Sequence, residues 1–414
     1  MSSGQPGELS RRRFLAAGAG VGAAVGVGSG ATLAACTTPA DAPGREAARF
    51  VPFEGVHQTG VTALPAPARG LMASFTVHSP DRTGLSRLLT GLTDEIRGLM
   101  AGKPPQVRGP AYPPVDSGLL GANPPPDNLT VVVSVGASLF DDRFGLADRK
   151  PNELVTMPFV SNDRLDPAHS HGDLLLSLEA GHPDTLQFAL RQLTRRTRGD
   201  LVLRWLIDGF SRGAGTAVDG GTQRNLMGFK DGTANLDPSN EQVMDRFVWI
   251  GAGDGEPAWA VGGSYHVVRV IRMFVEFWDR TPLAEQEAIF GRHKISGAPL
   301  GQPNETDEPN FGAGEILPTA HIRLANPRTP ETAENLILRR GFSFARGFDG
   351  SGQLDQGLAF VCYQRSLSRG FLAVQNRLTG EPLEEYILPV GGGFFFALPG
   401  ADGPDRFLGD TLVV

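Results

Sequence analysis

The sequence is short of cysteine: its 414 residues contain two, Cys36 and Cys362. Two thiols this far apart build neither a disulfide framework nor a thiolate metal centre. Cys362 lies in the apolar run from Leu358 to Tyr363 and reads as a buried small side chain rather than a nucleophile. A basic surplus is missing as well. Thirty-eight Lys and Arg against 45 Asp and Glu give a net charge of -7, which leaves nothing to neutralise phosphates and excludes nucleic acid as a partner. No low-complexity run dominates the chain beyond its leader, and 54 Gly with 32 Pro point instead to ordered loops. With 40% hydrophobic and 20% charged residues, the composition is that of a soluble globular protein. Its length allows two or three domains once a leader is removed.

The leader spans residues 1–42. Ser10-Arg11-Arg12-Arg13-Phe14-Leu15 precedes an Ala/Gly-rich stretch and resembles a twin-arginine export signal. Gly and Ala insert poorly into a bilayer, which argues against a permanent span. That route carries folded proteins, so the expected location is periplasmic or extracellular, and a cofactor acquired before export is to be looked for. Leu33-Ala34-Ala35-Cys36 resembles a lipoprotein cleavage box that would leave Cys36 acylated, anchoring the protein to the outer face of the membrane. Ala40-Asp41-Ala42 is the competing cleavage site, although Pro43 hinders it.

Residues 43–68 are Pro/Gly-rich and read as a linker or arm. From residue 69 the pattern predicts a strand at Gly70–Val77, a helix through Leu85, Leu88, Leu89, Leu92, Ile96 and Leu99, then strands at 129–135 and 173–178. A helix over 186–193 and a strand at 201–206 complete the first round. This order is ferredoxin-like. A second round follows: strands at 267–275, 336–344 and 358–363, a helix marked by Leu367, Phe371, Val374 and Leu378, and a last strand near 394–398. The expected fold is α+β, with two ferredoxin-like halves of antiparallel sheet and peripheral helices, at 69–222 and 223–414.

Gly228-Phe229-Lys230-Asp231-Gly232-Thr233-Ala234-Asn235 sets a carboxylate between two glycines, where a turn can present Asp231 to a bulky ligand. An ordinary Asp-Gly turn would look the same. His321, in Ala320-His321-Ile322-Arg323-Leu324-Ala325-Asn326-Pro327-Arg328, lies 90 residues further on, and Arg339 follows it by 18. Elsewhere, His169 and His171 could place two imidazoles on one side of an extended segment, but no further ligand is near in sequence. His293 follows a helix without an evident partner.

These three motifs in this order, with the export leader before them and Gly391-Gly392-Gly393-Phe394-Phe395-Phe396 near the end, resemble the dye-decolorising peroxidases. The likeness is to their twin-arginine-exported branch, also called deferrochelatase/peroxidase, and covers essentially the whole mature chain. It implies one haem b, held in the second half, with His321 as axial ligand of the iron. It further implies that Asp231 and Arg339 are the catalytic pair of the distal face. Gly232, Thr233, Ala234, Asn326, Pro327 and Arg328 match segments that line the haem, and Arg328 has the planar fork to meet a propionate. Arg340 is the neighbouring rival to Arg339. An acidic partner is expected on the second ring nitrogen of His321: Glu381, with Glu384 and Glu385 as alternatives. Phe360 and Leu358 are expected against the distal haem face.

The implied reaction reduces hydrogen peroxide and oxidises dyes, phenolics or similar aromatic reductants. A carboxylate rather than an imidazole as base places activity on the acid side. Tyr363, Tyr386, Trp249 and Trp259 are candidates for relaying electrons from dyes at the surface. Two alternatives stand beside the peroxidase: a component of iron acquisition that releases iron from haem and works with iron-uptake partners, and a non-catalytic haem-binding envelope lipoprotein. Oligomeric state is open.

Overall fold

In the computed structural model, which describes residues 48–106, 108–212 and 221–414, Leu85, Leu88, Leu89, Leu92 and Ile96 are all buried on one face of helix α1 (Arg82–Met100). Asp81 caps this helix, its carboxylate accepting from the Gly84 amide at 2.7 Å. Helix α2 (Pro183–Arg196) starts with proline at its first position and buries Leu186, Ala189, Leu190 and Leu193 into the same layer. The readings of the leader, from the export motif to Cys36, lie outside the described residues. Among the described residues no helix is long and apolar enough to cross a membrane.

Among the described residues, nine strands form one antiparallel sheet: β1 (Arg69–Val77), β2 (Thr130–Gly136), β3 (Leu174–Ala180), β4 (Leu201–Phe210), β5 (Ser264–Met273), β6 (Leu338–Arg339), β7 (Phe342–Phe348), β8 (Leu354–Gln364) and β9 (Ile387–Ala397). The order is β5-β9-β2-β3-β1-β4-β7-β8-β6, and β5 also pairs with β8, so eight strands close into a barrel. Within it, β2-β3-β1-β4 and β7-β8-β5-β9 are the same ferredoxin-like order used twice, as the sequence of elements implied. The two segments share one sheet and one compact unit. One seam joins β2 to β9 over three residue pairs; the other joins β4 to β7, among the described residues, through the single pair Phe210 and Ser343.

The segment before β1 is packed rather than loose. Gln58, 4% exposed, donates to the carbonyls of Val133 and Leu398 at 2.8 Å and accepts from the Val133 amide at 2.8 Å, so its amide bridges the first seam. Side chains alternate across the barrel wall. Met72, Val132, Leu175, Ile207, Val268 and Phe395 fill the interior, and the other faces pack on the helices.

Three elements differ from the sequence pattern. The run 336–344 is not one strand: Arg340 turns inward to the buried Glu179, and the chain breaks at Gly341 between β6 and β7. The last strand begins seven residues earlier than expected, because three glycines conceal it. Gly392, at φ +111°, sits where a Cβ would meet the Val268 carbonyl oxygen at 2.1 Å. The helix over 367–378 is a π-turn (Ser368–Leu372) kinked at Gly370, followed by α-helix over Ala373–Leu378.

Candidate active site

Phe229 anchors the Asp231 segment. Its ring is buried and stacks on Phe290 at 4.0 Å, with Trp278 edge-on at 6.0 Å. The backbone doubles back around it, Asn225 donating to the Phe229 carbonyl at 3.0 Å and Asp231 to the Gln223 carbonyl at 2.8 Å. Gly232 has φ +137°, and a Cβ there would lie 2.9 Å from Thr222. The chain thereby turns Asp231 into the wall of a cavity of about 1800 Å³, counting its open mouth.

Arg339 lines the same cavity. Its Nη1 donates to Asp231 Oδ1 at 2.9 Å and its Nη2 to the Thr233 carbonyl at 3.1 Å. Asp231 Oδ2 has no protein partner among the described residues. The two-residue strand β6 is fixed from outside by Asn235, which accepts from the Arg339 amide and donates to the Arg339 carbonyl, both at 2.9 Å. Arg340 faces the barrel interior, where Nε donates to Glu179 at 3.1 Å and Nη1 to the Ala63 carbonyl at 3.1 Å. Of the two adjacent arginines, then, only Arg339 meets Asp231.

His321 opens the short helix His321–Ala325 on the cavity wall, 5.9 Å from Phe290 between ring centroids. Its Nδ1 lies 2.8 Å from Oε2 of Glu381, whose side chain is 4% exposed. Burial pulls the imidazole down, but the Glu381 carboxylate outweighs it and holds His321 above the usual histidine range. Glu384 also lines the cavity without a bond to His321, so Glu381 is the partner among the three candidates. Engaging Nδ1 leaves Nε2 available to a metal ion.

Gly232, Thr233, Ala234, Asn326, Arg328, Leu358 and Phe360 all line the cavity, and Pro327 does not. Arg328 pairs with the exposed Glu308. Ala234 and Arg328, both on the cavity wall, adopt positive φ, 58° and 57°. Sequence reading missed Glu305, whose carboxylate ties the Asp231 loop from below. It accepts from Lys230 Nζ at 2.7 Å, from Thr233 Oγ1 at 2.8 Å and from Thr222. Burial would raise its pKa, but these donors together with Lys230 hold it below the usual carboxylate range.

Other expectations resolve differently. Tyr363, Tyr386, Trp249 and Trp259 are 1%, 3%, 6% and 5% exposed, so none of the four presents its ring at the surface. They fill the apolar clusters that hold the barrel and its flanks. His169 pairs with Asp166 at 2.7 Å, His171 takes φ +62° at a turn, and His293 pairs with Glu287 at 3.2 Å. Among the described residues no group of three or more His, Cys, Asp or Glu could hold a metal ion.

The cavity suits a porphyrin. Ile271, Met273, Phe290, Phe360, Phe371 and Val374 give it apolar walls, and one imidazole with its second nitrogen engaged stands in them.

Known proteins bear on this site directly. Residues 58–211 match the N-terminal part of Dyp-type peroxidases and residues 222–402 the C-terminal part. A deferrochelatase of Yersinia pestis is 48% identical over 414 residues, covering 98% of this chain and 95% of that protein. One from Escherichia coli O157:H7 is 48% identical over 417 residues, covering 98% and 97%. The DyP-type peroxidase structure from Cellulomonas bogoriensis aligns at TM-score 0.79 with 35% identity, over 88% of this chain and 98% of that one. The oxyferrous complex of DtpA from Streptomyces lividans gives TM-score 0.80 and 34% identity over 89% and 98%. Taken with the cavity and its histidine, these matches establish that the chain belongs to the Dyp-type peroxidases, a family of haem b enzymes.

Proposed function

We propose that Asp231 and Arg339 act as one unit on hydrogen peroxide, in the cavity where His321 would hold the iron of haem b. The observation that carries this is the 2.9 Å contact between Arg339 and Asp231 in a cavity that also contains the His321–Glu381 pair. When bound, haem would supply the two electrons that cleave the peroxide bond, and aromatic reductants would replace them one at a time. Asp231 Oδ2, free of protein donors, accepts a proton from one peroxide oxygen and returns it to the other, which leaves as water. Arg339 stays charged and donates to the negative charge that develops on that departing oxygen. Glu381 accepts from His321 Nδ1 and fixes the ring's tautomer and direction. Gly232 and Phe229 hold the Asp231 loop in place. The direct test compares peroxide reaction rates of wild type, Asp231→Ala and Arg339→Ala in haem-loaded protein. Losses below about tenfold in both variants would remove this assignment.

A second reading has support in the relatives named deferrochelatase, which match this chain along nearly its whole length. On that reading the protein takes iron from haem and serves iron uptake, the same cavity holding the tetrapyrrole. Incubation with haem and a ferrous chelator, followed by fluorescence of intact porphyrin, separates the two readings.

The leader motif supports export by the twin-arginine route, with the mature protein outside the cytoplasm and a lipid on Cys36 as its membrane tether. Mass spectrometry of the mature N-terminus tests this. An acylated Cys36 is the expected result, and an unmodified terminus beyond Ala42 would exclude the tether.

A further inference from the structure

Arg292 follows the helix Leu283–Phe290 after the left-handed Gly291, is 8% exposed, and lines the haem cavity. Its Nη1 donates to two backbone carbonyls, Gly297 at 2.6 Å and Glu305 at 3.0 Å. Among the described residues no carboxylate lies in ion-pair contact with it, and no acceptor meets its Nε or Nη2.

The other cations of the cavity wall are matched. Arg339 faces Asp231, Lys230 faces Glu305, Arg328 faces Glu308 and Arg269 faces Asp163. Among the described residues of this wall, Arg292 is therefore the cation without an ion-pair partner. A guanidinium held away from water is costly unless a counter-charge completes it. Burial first, and then the nearby Arg328 guanidinium, hold Arg292 below the usual arginine range, and the Glu305 carboxylate, already paired with Lys230, offsets this only in part. The two carbonyls fix Nη1 and with it the plane of the fork, so the remaining N–H groups are set for one planar, bidentate anion.

Resting on the assignment of this cavity to haem b, we infer that Arg292 is the seat of a haem propionate. A carboxylate is the anion whose geometry the fork matches, and the propionates are the ionised groups haem brings. Arg328 serves this end less well. Its side chain is 29% exposed and it already pairs with Glu308, itself 78% exposed, an arrangement in which solvent screens the charge. Arg269 is bound by the buried Asp163 and has no charge to offer.

The test uses the full-length protein loaded either with haem or with haem dimethyl ester, in which both propionates are neutral. The reading is the rate at which each pigment transfers to excess apomyoglobin. Wild type should lose the ester about tenfold or more faster than haem, the range expected for a charge-assisted hydrogen bond. Arg292→Gln should lose both pigments at similar rates, Arg292→Lys should restore part of the discrimination, and Arg328→Gln should keep most of it. Thermal melting of each variant checks the fold. Discrimination retained in Arg292→Gln, or loss of both pigments accelerated by the same factor, would overturn the inference while leaving the haem site intact. A wild type that binds neither pigment would overturn the haem assignment itself, and Arg292's role with it.

Discussion

Arg339 reaches Asp231 with one arm of its guanidinium, at 2.9 Å, and the Thr233 carbonyl with the other, at 3.1 Å. Two acceptors two residues apart therefore fix one fork, so charge alone does not replace it. Arg339→Lys should slow the reaction with peroxide about tenfold to a hundredfold, and Arg339→Leu about a hundredfold to a thousandfold. Stopped-flow mixing of haem-loaded variants with peroxide measures both. A lysine variant at the wild-type rate would show that the fork is not needed.

Asn235 touches Arg339 only through the backbone, accepting one bond from its amide and donating one to its carbonyl. Asn235→Ala removes both, at about 1 kcal/mol each, and frees a strand only two residues long. The expected result is a stability loss of about 1–3 kcal/mol in urea unfolding, together with a slower peroxide reaction because Arg339 loses its register. If stability falls and the rate does not, Asn235 is merely structural.

Glu381→Gln keeps the size of the side chain and removes its charge beside His321, 2.8 Å from Nδ1. Losing such a partner weakens metal affinity or activity about 10–100-fold. The ferric-to-ferrous midpoint potential of the loaded protein should also rise, because the imidazole donates less electron density. Spectroelectrochemistry reads the shift, and an unchanged potential would mean that Glu381 only positions the ring.

His266 lies fully buried in the barrel, 4.3 Å from the Tyr363 ring, and burial holds its pKa down to about 3. The unfolded chain binds a proton on this residue below about pH 6.5 while the folded chain does not. Stability from this group is therefore complete above the unfolded pKa and declines as pH falls from there towards 3, by up to about 1.4 kcal/mol per pH unit. His266→Phe should flatten the decline between pH 6 and pH 4 in urea titrations. The same slope in variant and wild type would assign the acid sensitivity to other groups.

Local pattern carried much of the fold. The stripe on α1 and the alternation in β2 and β3 follow from side-chain period, and their burial in the structure agrees. Closure of the barrel did not show, because pairing of β2 with β9 joins residues more than 250 apart and depends on no local signal. The glycines of β9 hid a strand for the opposite reason: they lack the side chains by which strands are recognised, and they are there because neighbouring backbone at Gly391 and Gly392, and the Phe395 ring at Gly393, leave no room for any. In the site, Asp231, His321 and Arg339 stood out through motif and spacing. Glu305 and Arg292 carry no motif, and Asn235, although it ends the Asp231 motif, gives no sign in sequence that it holds the Arg339 backbone; only the fold shows these roles.

The single pairing of Phe210 with Ser343 closes the barrel beside the inward-turned Arg340, one position beyond Arg339. A ring of strands yields first where it has fewest stitches, so breathing of the cylinder would begin there and loosen the Arg339 guanidinium before the opposite wall moves. The buried Glu179–Arg340 bond spans that gap as a rivet: it lets a cofactor pocket in one half of the chain borrow its rigidity from the other.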